Sequence, residues 1–151
     1  MSIALIIEDA HWRKLRGLTP RLKRAVSAAL AEVGADDAAD LTLKLTTDKR
    51  VQKLNAEFRG KDKPTNVLSF PAGLDDYLGD IAIAYGVTAR EAKESKKTLL
   101  DHTVHLTVHG VLHLLGYDHE TTRQANVMEP LEVRILKTLK IANPYEPAGE
   151  K

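Results

Sequence analysis

Apolar residues recur along this chain at two spacings, which divide it into strands and helices. Alternating or β-rich stretches, typical of strands, cover residues 2–8, 41–46, 66–70 and 78–85. The three-to-four-residue spacing of amphipathic helices covers residues 20–33, 48–58, 99–115 and 122–139. Because strands come first and the longest helices last, we predict an α+β fold in which about four strands form one small mixed sheet packed with helices.

Residues with strong positional preferences predict where these helices begin or bend. Thr19 and Pro20 have the order of a cap and a first-turn proline, so the first long helix is expected to start there. The four residues from Thr88 have the form of a capping box and predict another helix start. Pro130 lies inside the last helical stretch, where a proline predicts a kink or a restart.

The bulk composition is that of an ordinary folded domain. We expect one domain over residues 1–151, with a frayed tail at 143–151, and 43% hydrophobic with 28% charged residues fits this. A net charge of +1 means that any nucleic-acid role must rest on local clusters of cations. The absence of cysteine excludes disulfides and thiolate zinc sites and fits a reducing cytoplasm. No apolar stretch approaches the roughly 20 residues that span a bilayer, so we expect a cytoplasmic protein without a membrane partner.

Three histidines near the end of the longest apolar helix have the spacing of a metal site. His109 and His113 are four residues apart and share one helical face. His119 can join them only if the chain reverses first, and Gly116 can adopt the left-handed conformation that ends many helices. Three imidazoles without a fourth protein ligand are typical of a catalytic zinc ion, whose open position holds water. The segment therefore predicts a site for one Zn²⁺.

The other histidines fit this site less well. His105 shares the helical face but lies eight residues from His113, about 12 Å along the axis, so one ion cannot bind both. We expect it to be buried and hydrogen-bonded, or to support a ligand from behind. His102 is expected to face solvent. The competing interpretation of the three-histidine segment is a set of hydrogen-bonded core histidines without metal, which the spacing and the glycine disfavour.

The spacing is also that of the metzincin peptidases, which read H-E-x-x-H-x-x-G-x-x-H. Gly110 stands here in place of the glutamate, which in those enzymes takes the proton from the metal-bound water. A simple metallopeptidase is therefore disfavoured, and a hydrolase acting on peptides or small esters stays an alternative.

A second cluster, in the polar loop at residues 60–65 and just before it, is basic. Arg59, Lys61 and Lys63 place three cations within five residues. An arginine can bind a phosphate through two parallel hydrogen bonds, and lysines attract a phosphate backbone. From charge alone a solvated surface loop is the simpler interpretation. The cluster gains weight only beside the histidine segment.

Taken in order, three segments of the chain resemble one known family. These are F-R-G-K-D-K-P-T-N-V-L-S-F-P at 58–71, L-G-D-I at 78–81 and the histidine segment at 109–119. They resemble the YbeY family of bacterial endoribonucleases, and the likeness covers about residues 55–136. The resemblance implies a single α+β domain and metal-dependent cleavage of single-stranded RNA, notably in maturing the 3′ end of small-subunit ribosomal RNA. It also implies ribosomal RNA precursors, the ribosome and its assembly factors as partners, with a role in ribosome assembly and quality control.

Carried over by position, the resemblance implies that His109, His113 and His119 hold one zinc ion and that Arg59 is the essential arginine. We expect Lys61 and Lys63 to steer the RNA strand. Asp118, beside a ligand, is expected to help orient it.

Two positions depart from the family's usual pattern. Asn66 stands where the family usually has aspartate, and Pro130 lies in an atypical segment. The general base is not identified by sequence, since Asp118 and Glu120 are both candidates. A non-catalytic, zinc-stabilised ribosome-assembly factor is a further alternative, which three ligands rather than four disfavour.

Overall fold

Four strands form one mixed sheet in the computed structural model, which describes residues 2–35, 40–74 and 76–145. The strands are β1 (Ile3–Ile7), β2 (Asp40–Thr46), β3 (Val67–Pro71) and β4 (Tyr77–Ala84). Their order is β1-β2-β4-β3; the first three are parallel, and β3 runs antiparallel to β4 at the edge. The predicted α+β class with a small mixed sheet is confirmed.

Six helices surround this sheet within the described part of the chain. They are α1 (Ala10–Arg13), α2 (Leu18–Glu32), α3 (Asp48–Arg59), α4 (Tyr85–Glu94), α5 (Leu99–Leu114) and α6 (Thr122–Thr138). None of them is long and apolar enough to cross a bilayer.

Two predicted helix starts are wrong, and the restart that was one of two alternatives at Pro130 does not occur. The residue that caps α2 is Gly17, in the left-handed region with φ 76°, so Thr19 lies in the first turn. Helix α4 begins at Tyr85 directly after β4, and Thr88 is a fully buried residue inside it. Helix α6 runs through Pro130 without a restart. The apolar faces of α2 and α6 are buried in the main core, and such tertiary packing outweighs local preferences at a helix start or at an internal proline.

Helix α5 is the central element of the core. It packs on β3 and β4, with α2 and α6 beside it. Its buried face includes Val108, Val111 and Leu112, and the opposing sheet residues include Ile81 and Ile83. The other face of the sheet carries a smaller apolar cluster under α3. One end of α5 is thus fixed over the edge strand β3.

The chain reverses after α5 as the sequence predicts. Gly116 has φ 100°, and the N–H of Tyr117 donates to the carbonyl of Leu112 at 3.0 Å. This reversal is typical of a glycine-terminated helix. It returns the following residues toward the C-terminal end of α5. Of the expected tail, residues 143–145 are described and 146–151 lie outside the described residues.

Candidate metal centre and basic cleft

His109, His113 and His119 converge at the C-terminal end of α5. One nitrogen from each lies within 4.8 Å of the others. The Nε2 atoms of His109 and His113 are 3.0 Å apart, and the His119 ring centre lies 4.9 Å from that of His109. The turn at Gly116 brings His119 back to the helix. The cluster can hold a metal ion.

The protonation state of His113 suits a metal ligand. Burial, with the neighbouring imidazoles of His109 and His119, lowers the pKa of His113 to about 4. The ring is therefore neutral at pH 7 and keeps a lone pair for coordination. Three neutral imidazoles are a donor set that zinc accepts, and one that copper or nickel also accepts.

Glu132, from α6, is a functional residue that the sequence analysis missed. Its side chain is fully buried, and its Oε2 accepts from Nδ1 of His109 at 2.5 Å. Its Oε1 accepts from Nε2 of His105 at 3.1 Å and from the Tyr145 hydroxyl. Although burial alone raises it, hydrogen bonds from His105 and His109 lower the pKa of Glu132 to about 2. The carboxylate is thus charged and holds the proton of His109 on Nδ1, which leaves Nε2 free for a metal.

A signal for Glu132 was present in the sequence. The buried positions of α6 have helical spacing and are otherwise apolar: Met128, Leu131, Glu132, Ile135 and Leu136. An acidic residue on such a face needs a buried partner, because an unpaired buried charge is costly. Sequence alone does not reveal that His105 and His109 are those partners.

The predicted supporting residues make different contacts. His105 is hydrogen-bonded, as expected, and shares Glu132 with His109. Asp118 accepts the backbone N–H of His119 at 2.7 Å, so the recorded bond is to the main chain rather than to an imidazole.

The prediction that His102 faces solvent is wrong. The residue is 8% exposed, and its Nε2 lies 2.9 Å from Oε1 of Glu91. Burial lowers the pKa of His102 despite this carboxylate. The same Oε1 accepts the side-chain amide of Asn66 at 3.0 Å. An aspartate at 66 would put a second carboxylate against Glu91, so the asparagine suits its neighbour in this chain.

One cleft of about 970 Å³ contains both predicted clusters. Its lining includes the three histidines together with Arg59, Lys61 and Lys63. Arg59 donates from Nη2 to the carbonyl of Ser69 at 2.6 Å, and the Ser69 hydroxyl donates to the carbonyl of Gly110 at 3.2 Å. The edge strand β3 therefore connects the arginine to the metal-site helix.

The basic loop is held by Asn55, a second residue that sequence reasoning missed. Its side chain is buried and donates from Nδ2 to the carbonyl of Lys63 at 2.9 Å. The carbonyl of Asn55 accepts the N–H of Lys61 at 3.2 Å. The signal available in the sequence was an asparagine four residues after Val51, on the apolar side of an amphipathic helix.

The structure explains why Gly110 replaces the peptidase glutamate. A Cβ atom there would lie 2.9 Å from Cγ2 of Ile81 and 3.2 Å from Oγ of Ser69. A longer side chain there would require the side chains of Ile81 and Ser69 to shift. The packing of α5 on the sheet therefore leaves no place for the peptidase base at this position.

Fold and site together define a single-sheet α+β protein whose cleft combines three histidines that could hold a metal ion with clustered cations. A family model described as endoribonuclease YbeY matches residues 7–140, and the chain belongs to the YbeY family. The resemblance stated from the sequence is thereby confirmed.

Relatives named endoribonuclease YbeY are similar in sequence to this chain over most of their length. The chain is 46% identical to the endoribonuclease YbeY of Maricaulis maris, with 95% of this chain and 91% of that protein covered. It is 50% identical to the endoribonuclease YbeY of a Chelativorans species, with 87% and 83% covered. The solution structure of TM1509 from Thermotoga maritima shares the fold, with a TM-score of 0.59, 24% identity and 99% of both chains covered.

Proposed function

We propose that this protein is a metal-dependent endoribonuclease that cleaves single-stranded RNA and matures ribosomal RNA, notably the 3′ end of the small-subunit RNA. The observation that carries the proposal is the shared cleft, in which the three histidines and the cations Arg59, Lys61 and Lys63 line one space. The YbeY relatives are named endoribonucleases.

His109, His113 and His119 would hold one Zn²⁺. When bound, the ion supplies a water of lowered pKa and polarises a phosphoryl oxygen. Glu132 fixes the ring of His109 through Nδ1. The low pKa of His113 keeps that ligand neutral at the pH of the cell.

Arg59 is positioned to stabilise the charge that develops on the phosphoryl group. One of its donors is bonded to the Ser69 carbonyl, which fixes the guanidinium and leaves other donors for phosphate. Lys61 and Lys63 attract neighbouring phosphates. Asn55 keeps their loop in place.

Glu132 is a poor candidate for the general base, the group that accepts a proton during RNA cleavage. That carboxylate is fully buried and already accepts from His105, His109 and Tyr145. The other carboxylates on the described lining of the cleft are Asp118, Glu120 and Glu129.

Precursor ribosomal RNA, the ribosome and its assembly factors are the partners that this function requires, and the cytoplasm is the compartment that we propose for it.

The test compares purified parent, His113→Ala and Arg59→Ala on a single-stranded RNA and on precursor ribosomal RNA, with metal content measured for each. We expect both variants to lose cleavage, His113→Ala to lose metal and Arg59→Ala to keep it. Lys53→Ala, an exposed charge removal on α3, is the control and should cut like the parent. The proposal fails if both variants are folded and cut RNA as fast as the parent.

Casein cleavage that chelators abolish would favour the hydrolase alternative. Unfolding on metal loss, with Arg59→Ala keeping its cellular role, would favour the assembly factor.

A further inference from the structure

Both phenylalanines of this chain lie against each other on the α3 side of the sheet, in contact with the cleft residue Arg59, and one of them is open to solvent. Phe58, in the last turn of α3, is 62% exposed. Its ring centre lies 5.5 Å from that of Phe70 on β3, with an angle of 64° between the rings. Phe70 is half-buried against the smaller apolar cluster. Phe58 therefore rests on a fixed partner and presents most of its own surface outward.

The aromatic pair is joined to the cleft by Arg59. The guanidinium carbon lies 5.7 Å from the centre of the Phe70 ring, within the range of a cation–π contact. The same guanidinium donates to the Ser69 carbonyl, which lines the cleft. The arginine thus lies against the aromatic pair on one side and belongs to the cleft on the other. Lys61 and Lys63 continue the basic surface from there.

We infer that Phe58, supported by Phe70, is a stacking platform for one nucleobase of the single-stranded RNA whose phosphate is bound at Arg59. The inference rests on the proposed function and adds the part of the site that recognises a base. Proteins that bind single strands combine a basic groove with aromatic side chains on which bases stack, because every base has a π face. An exposed ring next to three cations is that combination.

The surroundings favour a base over an apolar protein partner. Phe58 is the only exposed large apolar residue of α3, the following loop and β3, and it is followed in sequence by Arg59, Lys61 and Lys63. Protein interfaces of the apolar kind use contiguous patches of several hundred Å². A nucleobase matches one ring in size, and its phosphate matches the adjacent cations.

The platform would contribute to single-strand preference. In a duplex each base is stacked on its neighbours and paired, so none is free to lie on Phe58. A splayed single strand can place a base there without any hydrogen-bond readout of its identity. The expected selectivity is therefore for unpaired RNA and is tolerant of sequence.

The experiment uses the metal-loaded enzyme and a short single-stranded RNA that carries one 2-aminopurine. Steady-state cleavage and quenching of the 2-aminopurine fluorescence are measured for the parent and for Phe58→Ala, Phe58→Leu and Phe58→Tyr. Loss of a stacked base should raise KM about fivefold or more with kcat little changed. We expect this for the alanine and leucine variants, together with loss of quenching, while the tyrosine variant keeps both. Ile6→Ala removes another exposed apolar side chain, on the opposite edge strand β1, and should behave like the parent.

The outcomes separate this inference from the function on which it rests. If the parent cuts RNA, His113→Ala does not, and Phe58→Ala keeps the KM and quenching of the parent, the platform is refuted and the nuclease stands. If Phe58→Leu matches the parent, the contact is merely apolar and stacking is refuted. A parent that neither cleaves nor quenches the RNA overturns both proposals. Circular dichroism of each variant, in which only a surface side chain changes, verifies that it is folded.

Discussion

The Nδ1 atom of His109 lies 2.5 Å from Oε2 of Glu132, a carboxylate with no solvent exposure. A buried carboxylate is tolerated only when its oxygens are well supplied with donors. Here His105 and the Tyr145 hydroxyl donate hydrogen bonds to the other carboxylate oxygen, Oε1. Three hydrogen-bond donors therefore offset the cost of burying this charge, and one of them is an imidazole of the three-histidine cluster. The histidine cluster and the packing of α5 on α6 depend on the same group.

Replacing Glu132 by glutamine should weaken metal binding without removing a ligand. The amide accepts a hydrogen bond less strongly than the carboxylate and can turn its NH₂ toward His109. The ring is then free to carry its proton on Nε2, and we expect metal affinity to fall about 10- to 100-fold. Competition with a zinc chelator of known affinity measures this. Glu57→Gln, an exposed change on α3, is the control. Equal affinity in parent and Glu132→Gln would refute the positioning role.

Local patterns predicted most of the fold and the three histidines, and long-range packing accounts for what they missed. The alternation in the strands and the spacing from His109 to His119 are short-range signals. By contrast, Glu132 meets His109 only after α6 docks on α5, 23 residues along the chain. The sequence analysis predicts that His102 faces solvent, but Glu91 from α4 bonds it, and nothing near His102 in the sequence indicates that partner. Thr88 has the form of a cap, but helix α4 already begins at the end of β4.

Gly110→Ala should destabilise the protein, although alanine normally favours a helix. The added methyl would lie 2.9 Å from Cγ2 and 3.1 Å from Cδ1 of Ile81, closer than packed carbons approach. The usual gain of roughly 0.5–1 kcal/mol for glycine to alanine is then outweighed by an overpacking cost of about 1–3 kcal/mol. Urea unfolding of the protein, after a chelator has removed any bound metal, measures the net loss in the free energy of unfolding.

A double-mutant cycle identifies the cause. Combining Gly110→Ala with Ile81→Ala should cost less than the sum of the two single changes, because each relieves the other's misfit. Strict additivity would mean that this contact does not determine the choice of glycine.

Asn66→Asp should lower the free energy of unfolding at pH 7. The change replaces an amide donor, 3.0 Å from Oε1 of Glu91, with a second carboxylate. Like charges at this distance raise a carboxyl pKa in the folded state, so the folded state binds more protons than the unfolded state. The loss of unfolding free energy, on the order of 1 kcal/mol, is therefore greatest above the pKa of the carboxyl in the folded state. It shrinks as the pH falls toward 4. Protonation of His102, bonded to the same Oε1, would oppose the loss.

Unfolding curves of Asn66→Asp and the parent between pH 4 and 8 measure this difference. Asn126→Asp makes the same chemical change at an exposed position of α6 and should show little effect. A deficit at pH 7 that does not shrink on acidification would point to lost hydrogen bonding rather than charge repulsion.

The metal-free protein should lose stability as the pH falls, and His113 should contribute to that loss. Burial holds its folded pKa near 4, against an ordinary value of 6.5. Between these values the unfolded chain binds the proton and the folded chain does not, so the stability present above pH 6.5 is lost as the pH drops toward 4. The stability lost is on the order of 2 kcal/mol.

In His113→Gln, which cannot take up the proton, the free energy of unfolding of the metal-free protein should fall less steeply between pH 6.5 and 4. Parallel curves for parent and variant would show that another group causes the acid sensitivity. Because a bound metal requires the neutral ring and competes with the proton for it, protonation of His113 should release the ion from the folded protein only near pH 4 or below.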